Sequence, residues 1–136
     1  MARIIALDIG KKRTGIAVTD ELQIIATGLA TVDTGELIGY LKKYIAVHPV
    51  EKVLVGYPLN LNDSPTDATP IVEKFIVKFG NVFPSMPVVK VDERMTSRMA
   101  SREIAGMGLR KADREQKGLI DVVAAVMMLQ EYMGHR

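Results

Sequence analysis

Three acidic positions stand at the ends of, or inside, segments that ought to be buried. Asp8 follows the apolar run Ile4-Ile5-Ala6-Leu7, Asp92-Glu93 follows Val88-Val89-Lys90-Val91, and Asp121 sits within Gly118-Leu-Ile-Asp-Val-Val-Ala-Ala-Val126. A buried, unpaired carboxylate is costly unless a cation or hydrogen bonds compensate it. If the three segments converge, one shared cation site serves all of them. Clustered carboxylates give the hard oxygen donors preferred by Mg²⁺ or Mn²⁺, ions that also bridge phosphate oxygens. The chain has no cysteine, and neither His48 nor His135 shows ligand spacing. Disulfides, thiolate-bound zinc and cysteine nucleophiles are thereby excluded.

Basic residues flank these acids. Lys11-Lys12-Arg13 comes just after Asp8. Between 94 and 117, Arg94, Arg98, Arg102, Arg110, Lys111, Arg114 and Lys117 face only Glu103, Asp113 and Glu115. The whole chain carries a net charge of only +2, so the local distribution is what matters. It would draw a polyanion toward a metal site; the competing reading is a solvated basic face. Aromatic residues are few (three Phe, four Tyr, no Trp), which favours backbone contacts over base stacking.

The elements that must position these groups follow from periodicity. Residues 2 to 9, 14 to 19 and 24 to 32 read as strands, the first two joined by a turn at Gly10 to Arg13 and the third interrupted at Gly28. They form an antiparallel meander. Leu37, Tyr40, Leu41, Tyr44 and Ile45 make one helix face, with Pro49 at the exit. Lys52 to Gly56 is a central strand, followed by a polar loop from Tyr57 to Pro65. Ala68, Ile71, Val72, Phe75, Ile76 and Phe79 form a second helical stripe with Gly80 as its cap, and Val88 to Asp92 is a strand. Thr96 or Ser97 caps a helix reaching about residue 105, residues 109 to 117 form a basic loop, and Leu119 to about Met133 is a helix apolar nearly all round.

This order implies an α/β fold: a five-stranded mixed sheet, three strands in an antiparallel meander plus two parallel ones, with helices on both faces. A length of 136 residues suits a single domain, 1–136, too short for two lobes. The apolar start is too short for a signal peptide and no run approaches the roughly 18 residues of a membrane span, so the expectation is a cytoplasmic protein without a membrane partner.

In sheets of this kind, sites gather at the C-terminal ends of parallel strands, where Asp8 and Asp92-Glu93 both fall. Glu93 shares parity with Val89 and Val91 and is the favoured ligand, with Asp92 competing if the strand ends or twists first. Asp121 has two readings: N-cap of a helix beginning at Val122, or a ligand one turn before Ala124 and Ala125, small residues that let a helix approach the sheet. Asp8-Ile-Gly10 can also be a phosphate-binding turn, as in two-lobed nucleotide-binding enzymes.

Four stretches extend these readings: Leu-Asp-Ile-Gly-Lys-Lys-Arg-Thr-Gly-Ile-Ala-Val-Thr-Asp (7–20), Val-Gly-Tyr-Pro-Leu-Asn (55–60), Asp-Glu-Arg-Met-Thr-Ser (92–97) and Ile-Asp-Val-Val-Ala-Ala (120–125). In this order and spacing the chain resembles, over nearly its whole length, the YqgF family, a RuvC-like group with the ribonuclease H-like fold described as pre-16S rRNA nucleases or Holliday-junction resolvases. It departs from that family after Pro-Leu-Asn, reading Leu61-Asn-Asp-Ser-Pro-Thr66 in place of an Asp-Gly pair.

The resemblance implies metal-dependent phosphodiester hydrolysis, with Asp8, Glu93 (or Asp92) and Asp121 as catalytic ligands of Mg²⁺ or Mn²⁺. Such chemistry holds two ions about 4 Å apart. Lys11, Lys12, Arg13, Arg94, Arg98, Arg110, Lys111 and Arg114 are the candidate nucleic-acid contacts. The partner is a structured RNA precursor or branched DNA, and the protein a monomer or homodimer. A non-catalytic nucleic-acid-binding module of the same fold is the competing class.

Overall fold

Alternation within the first strand sets the two faces of the sheet. In β1 (Arg3–Ile9), Ile5, Leu7 and Ile9 enter one hydrophobic core, while Ile4 and Ala6 enter another on the opposite side. Burial on both faces explains its nearly unbroken apolar run and its central place. The computed structural model describes residues 2–58, 65–92 and 117–134, and in the last of these the side chains from 121 onward.

β2 (Arg13–Thr19) and β3 (Ala26–Asp33) continue from β1 as an antiparallel meander, and β4 (Val50–Tyr57) and β5 (Val88–Asp92) lie parallel on the other side of β1. The sheet order is β3-β2-β1-β4-β5. Two helices bridge the parallel strands and share one face: α1 (Leu37–Val47) contributes Leu37 and Leu41 to the core there, and α2 (Thr69–Val82) contributes Val72, Phe75 and Phe79. The last helix, here α3 (Lys117–Gly134), covers the other face through Ala125, Met128 and Leu129. The mixed five-stranded sheet with helices on both faces is thus as its sequence order implied.

Three local differences have physical causes. β3 starts at Ala26 rather than Ile24, because the Asp20 carboxylate accepts the Ile24 and Ile25 N–H groups at 2.7 and 2.8 Å and Gln23 takes a left-handed φ of 57°, closing a turn. Glycine 80 does not end α2. The helix runs on to Val82 because Phe79 contacts both Phe75 (5.5 Å) and Phe83 (4.9 Å), and Phe83 N–H reaches the Phe79 carbonyl at 2.8 Å. The helix Lys117–Gly134 already includes Asp121 in its second turn, so Asp121 lies inside it and is no N-cap. The expected helix after Thr96, the basic loop to residue 116 and residues 59–64 lie outside the described residues. Among the described residues, no helix is long and apolar enough to cross a membrane.

Candidate active site

The site is built on one row of the sheet. Asp8 pairs with Gly15 in β2, which pairs with Thr31 in β3. On the other side Leu7 pairs with Val55, so Gly56 follows next to Asp8. Directly opposed residues share a face, and the parity of Ile4 and Ala6 gives Asp8 the α3 side. Asp8 therefore stands between two glycines, with no side chain directly opposite it in either neighbouring strand.

On the β2 side, that bareness admits α3. A β-carbon on Gly15 would collide with the Asp121 carbonyl and come within 2.6 Å of Val122 N. One strand further out, a β-carbon on Gly28 would come 2.6 Å from Val122 Cγ1. Gly28 is therefore a seat for the helix as well as a break in the strand pattern, and the irregularity of pairing falls beside it: Ile16 opposes Ala30, Ala17 opposes Gly28, and Leu29 bulges between them. The sequence signal for Gly15 was available, since an isolated glycine in a strand marks close backbone approach.

Both Asp8 and Asp121 are half-buried, and Gly15 is their common neighbour. All-oxygen donors of this kind suit a hard divalent cation. Among the described residues no group of three His, Cys, Asp or Glu side chains is assembled, and the expected third donor, Glu93, lies outside them. Asp92 is described: it is exposed, pairs with Tyr57, and shares parity with Lys90, whose ammonium reaches Glu73 of α2 at 3.3 Å. Its alternation thus belongs to the α2 side, opposite Asp8.

Beside Asp121 a cleft of about 310 Å³ is lined by Gly10, Lys11, Lys12 and Arg13. Arg13 shares parity with Gly15 and is half-buried, and its Nε–H is buried without an acceptor among the described residues. The turn carrying these cations is tied down by Thr34. Its N–H donates to the Lys12 carbonyl at 2.9 Å and its hydroxyl to the Gly10 carbonyl at 2.7 Å. Having given its proton to Gly10, the Thr34 hydroxyl accepts from Thr14 Oγ1 at 3.0 Å. Gly10 N–H closes the turn on the Arg13 carbonyl at 2.8 Å. The role of Thr34 was not legible beforehand because it comes from a different strand end.

At the neighbouring strand ends, Glu73 accepts from Tyr57 Oη and from Lys90. Its carboxyl is held below the usual range, chiefly by the Tyr57 hydrogen bond and then by that from Lys90. Of the candidate contacts, Lys11, Lys12 and Arg13 join the cleft, whereas Arg94, Arg98, Arg110, Lys111 and Arg114 lie outside the described residues.

A Flavobacterium johnsoniae protein named "Putative pre-16S rRNA nuclease" is 48% identical over 136 residues, covering 100% of this chain and 99% of its own. A Porphyromonas gingivalis protein of the same name is 46% identical over 133 residues, 98% of this chain and 96% of that one. Among solved structures, Thermus thermophilus RuvC in complex with Holliday junction substrate superposes with a TM-score of 0.57 at 18% identity, covering 98% of this chain and 97% of that one. That likeness establishes the fold, the ribonuclease H-like one. Residues 2–135 match the family described as "RuvX: Holliday junction resolvase", and the chain belongs to the RuvX family.

Proposed function

We propose that this protein is a divalent-metal-dependent endonuclease that cleaves phosphodiester bonds at the 5′ end of pre-16S rRNA in the cytoplasm. The observation that carries the reading is the convergence of Asp8 and Asp121 over Gly15, next to the Lys12-Arg13 cleft. Two carboxylates beside a basic turn match the needs of a reaction on a polyanion, with oxygen donors for a cation and cations for the phosphates. The names carried by the 48% and 46% identical relatives support the choice of substrate.

Asp8, Asp121 and Glu93 are the proposed ligands. Glu93 is preferred to Asp92 because Val89 and Val91 pack against the α3-side core, and alternation carried two residues beyond Val91 returns to that face. Asp8, Asp121 and Glu93 would hold Mg²⁺ or Mn²⁺, which when bound would supply Lewis-acid activation of a water and charge stabilisation at the leaving oxygen. Lys12 and Arg13 hold the phosphate group, and Thr34 keeps their turn from moving when the strand docks. The basic residues between 94 and 114 guide the remainder of the backbone.

A second reading, resolution of four-way DNA junctions, is favoured by the family description. The two separate when labelled pre-16S rRNA and a four-way junction are incubated side by side with Mg²⁺ or Mn²⁺, each with a chelator control. Metal-dependent release of the rRNA 5′ segment supports the first, and paired symmetric nicks in the junction support the second. Resolution requires two coordinated cuts, so a strictly monomeric protein argues against it. Binding without cleavage of either overturns both in favour of a non-catalytic module.

A further inference from the structure

Lys11 belongs to two clefts. It lines the one beside Asp121, and it also lines a separate groove of about 430 Å³ on the α1–α2 side of the sheet. The other cations of this groove are Lys74 and Lys78, successive turns of α2, and its apolar lining includes Ile38 of α1 and Phe75 of α2. All three lysines are exposed. Among the described residues none takes part in an ion pair, and neither Asp33 nor Glu36, which flank Thr34 and Gly35, lines the groove.

The arrangement is electrostatically unfavourable as it stands. Like charges four residues apart on a helix destabilise it, and Lys11 adds a third charge from across the groove. Glu73 lies next to Lys74 in sequence, yet it is engaged with Tyr57 and Lys90 instead. A polyanion spanning the three ammonium groups would relieve the repulsion and release its own counterions.

We infer that Lys11, Lys74 and Lys78 form a second phosphate track, along which the nucleic-acid strand continues from the cleft beside Asp121 over the 10–13 turn and onto the α1–α2 face. This rests on the nuclease reading for the identity of the polyanion. Continuity decides the occupant: Lys11 is shared by both clefts, and its turn is fixed to Thr34, which also lines the groove. The apolar lining matches the lysine stems, leaving the ammonium ends for phosphates.

The test is binding of a fluorescent single-stranded RNA in chelator across a salt series, comparing wild type with the double variant Lys74→Gln, Lys78→Gln. The control is Lys42→Gln, Lys43→Gln, which removes the same charge from exposed α1 positions that line neither cleft. Loss of two phosphate contacts should lower the slope of log K against log salt by about 1.4 and weaken binding roughly 20-fold at about 0.1 M salt. The control should change neither. An unchanged slope in the α2 variant, or an equal loss in the control, overturns the track and leaves the nuclease reading standing. Wild-type protein that binds no nucleic acid at any salt overturns both. Circular dichroism checks that the variants keep their helices, as glutamine and lysine have similar propensities.

Discussion

The main chain of Asp121 rests on the bare α-carbon of Gly15, the residue directly opposite Asp8 in the neighbouring strand. That contact sets how closely α3 approaches the sheet and thereby brings residue 121 against the strand that neighbours residue 8. The distance between two acids far apart in sequence is governed by an absent side chain.

Gly15→Ala should accordingly damage both stability and the site. The added methyl meets backbone atoms, which cannot rotate away, and overpacking of this kind costs about 1–3 kcal/mol. Urea unfolding should show a lowered midpoint at unchanged m-value, and Mn²⁺ binding by calorimetry should weaken. Wild-type stability together with wild-type Mn²⁺ affinity would contradict the close approach.

Thr34→Val keeps the shape but removes a hydroxyl that donates to Gly10 O and accepts from Thr14. Leaving these part-buried groups unsatisfied costs about 1–3 kcal/mol. Amide exchange of the 10–13 turn should quicken and nucleic-acid affinity should fall, while Thr34→Ser restores much of both. Equal behaviour of the valine and serine variants would show that the hydroxyl has no part in holding the turn.

The β2–β3 turn should respond to acid. The Asp20 carboxyl is held below its usual value, chiefly by the Ile25 N–H, with Ile24 N–H adding to it and desolvation opposing. A depressed folded value means that its contribution is fully present above the unfolded pKa and is lost as pH falls through the folded one. Wild type should therefore outlast Asp20→Asn in urea near neutral pH, and the gap should narrow below about pH 4. A gap that is constant down to the acid limit would rule out the carboxylate as its source.

Chain order and alternation made the sheet legible: the apolar runs around Ile4 and Val53 are buried strands, the run around Val88 is a strand but only half-buried because it lies at the sheet edge, and helical spacing marked α1 and α2. Asp8 stood out as a candidate because a carboxylate at the end of a doubly buried strand is stable only beside a cation or hydrogen-bond donors. Asp121 was ambiguous, since capping and metal ligation use the same residue type, and only its place inside α3 removes the capping reading. Thr34, Lys74 and Lys78 carried no local signal. Their placement around one groove arises from the packing of α1 and α2 against one end of the sheet, which no sequence window contains.

The central claim is that Asp8 holds the catalytic metal, and Asp8→Asn isolates it: the change is nearly isosteric and removes only the charge. Cleavage of the preferred nucleic-acid substrate should be measured for wild type and variant with Mg²⁺ or Mn²⁺. Outer-shell partners of metal ligands alone are worth about 10–100-fold, so loss of a direct ligand should lower the rate at least about 100-fold while the melting temperature is retained. Undiminished metal-dependent cleavage by the variant would contradict the assignment.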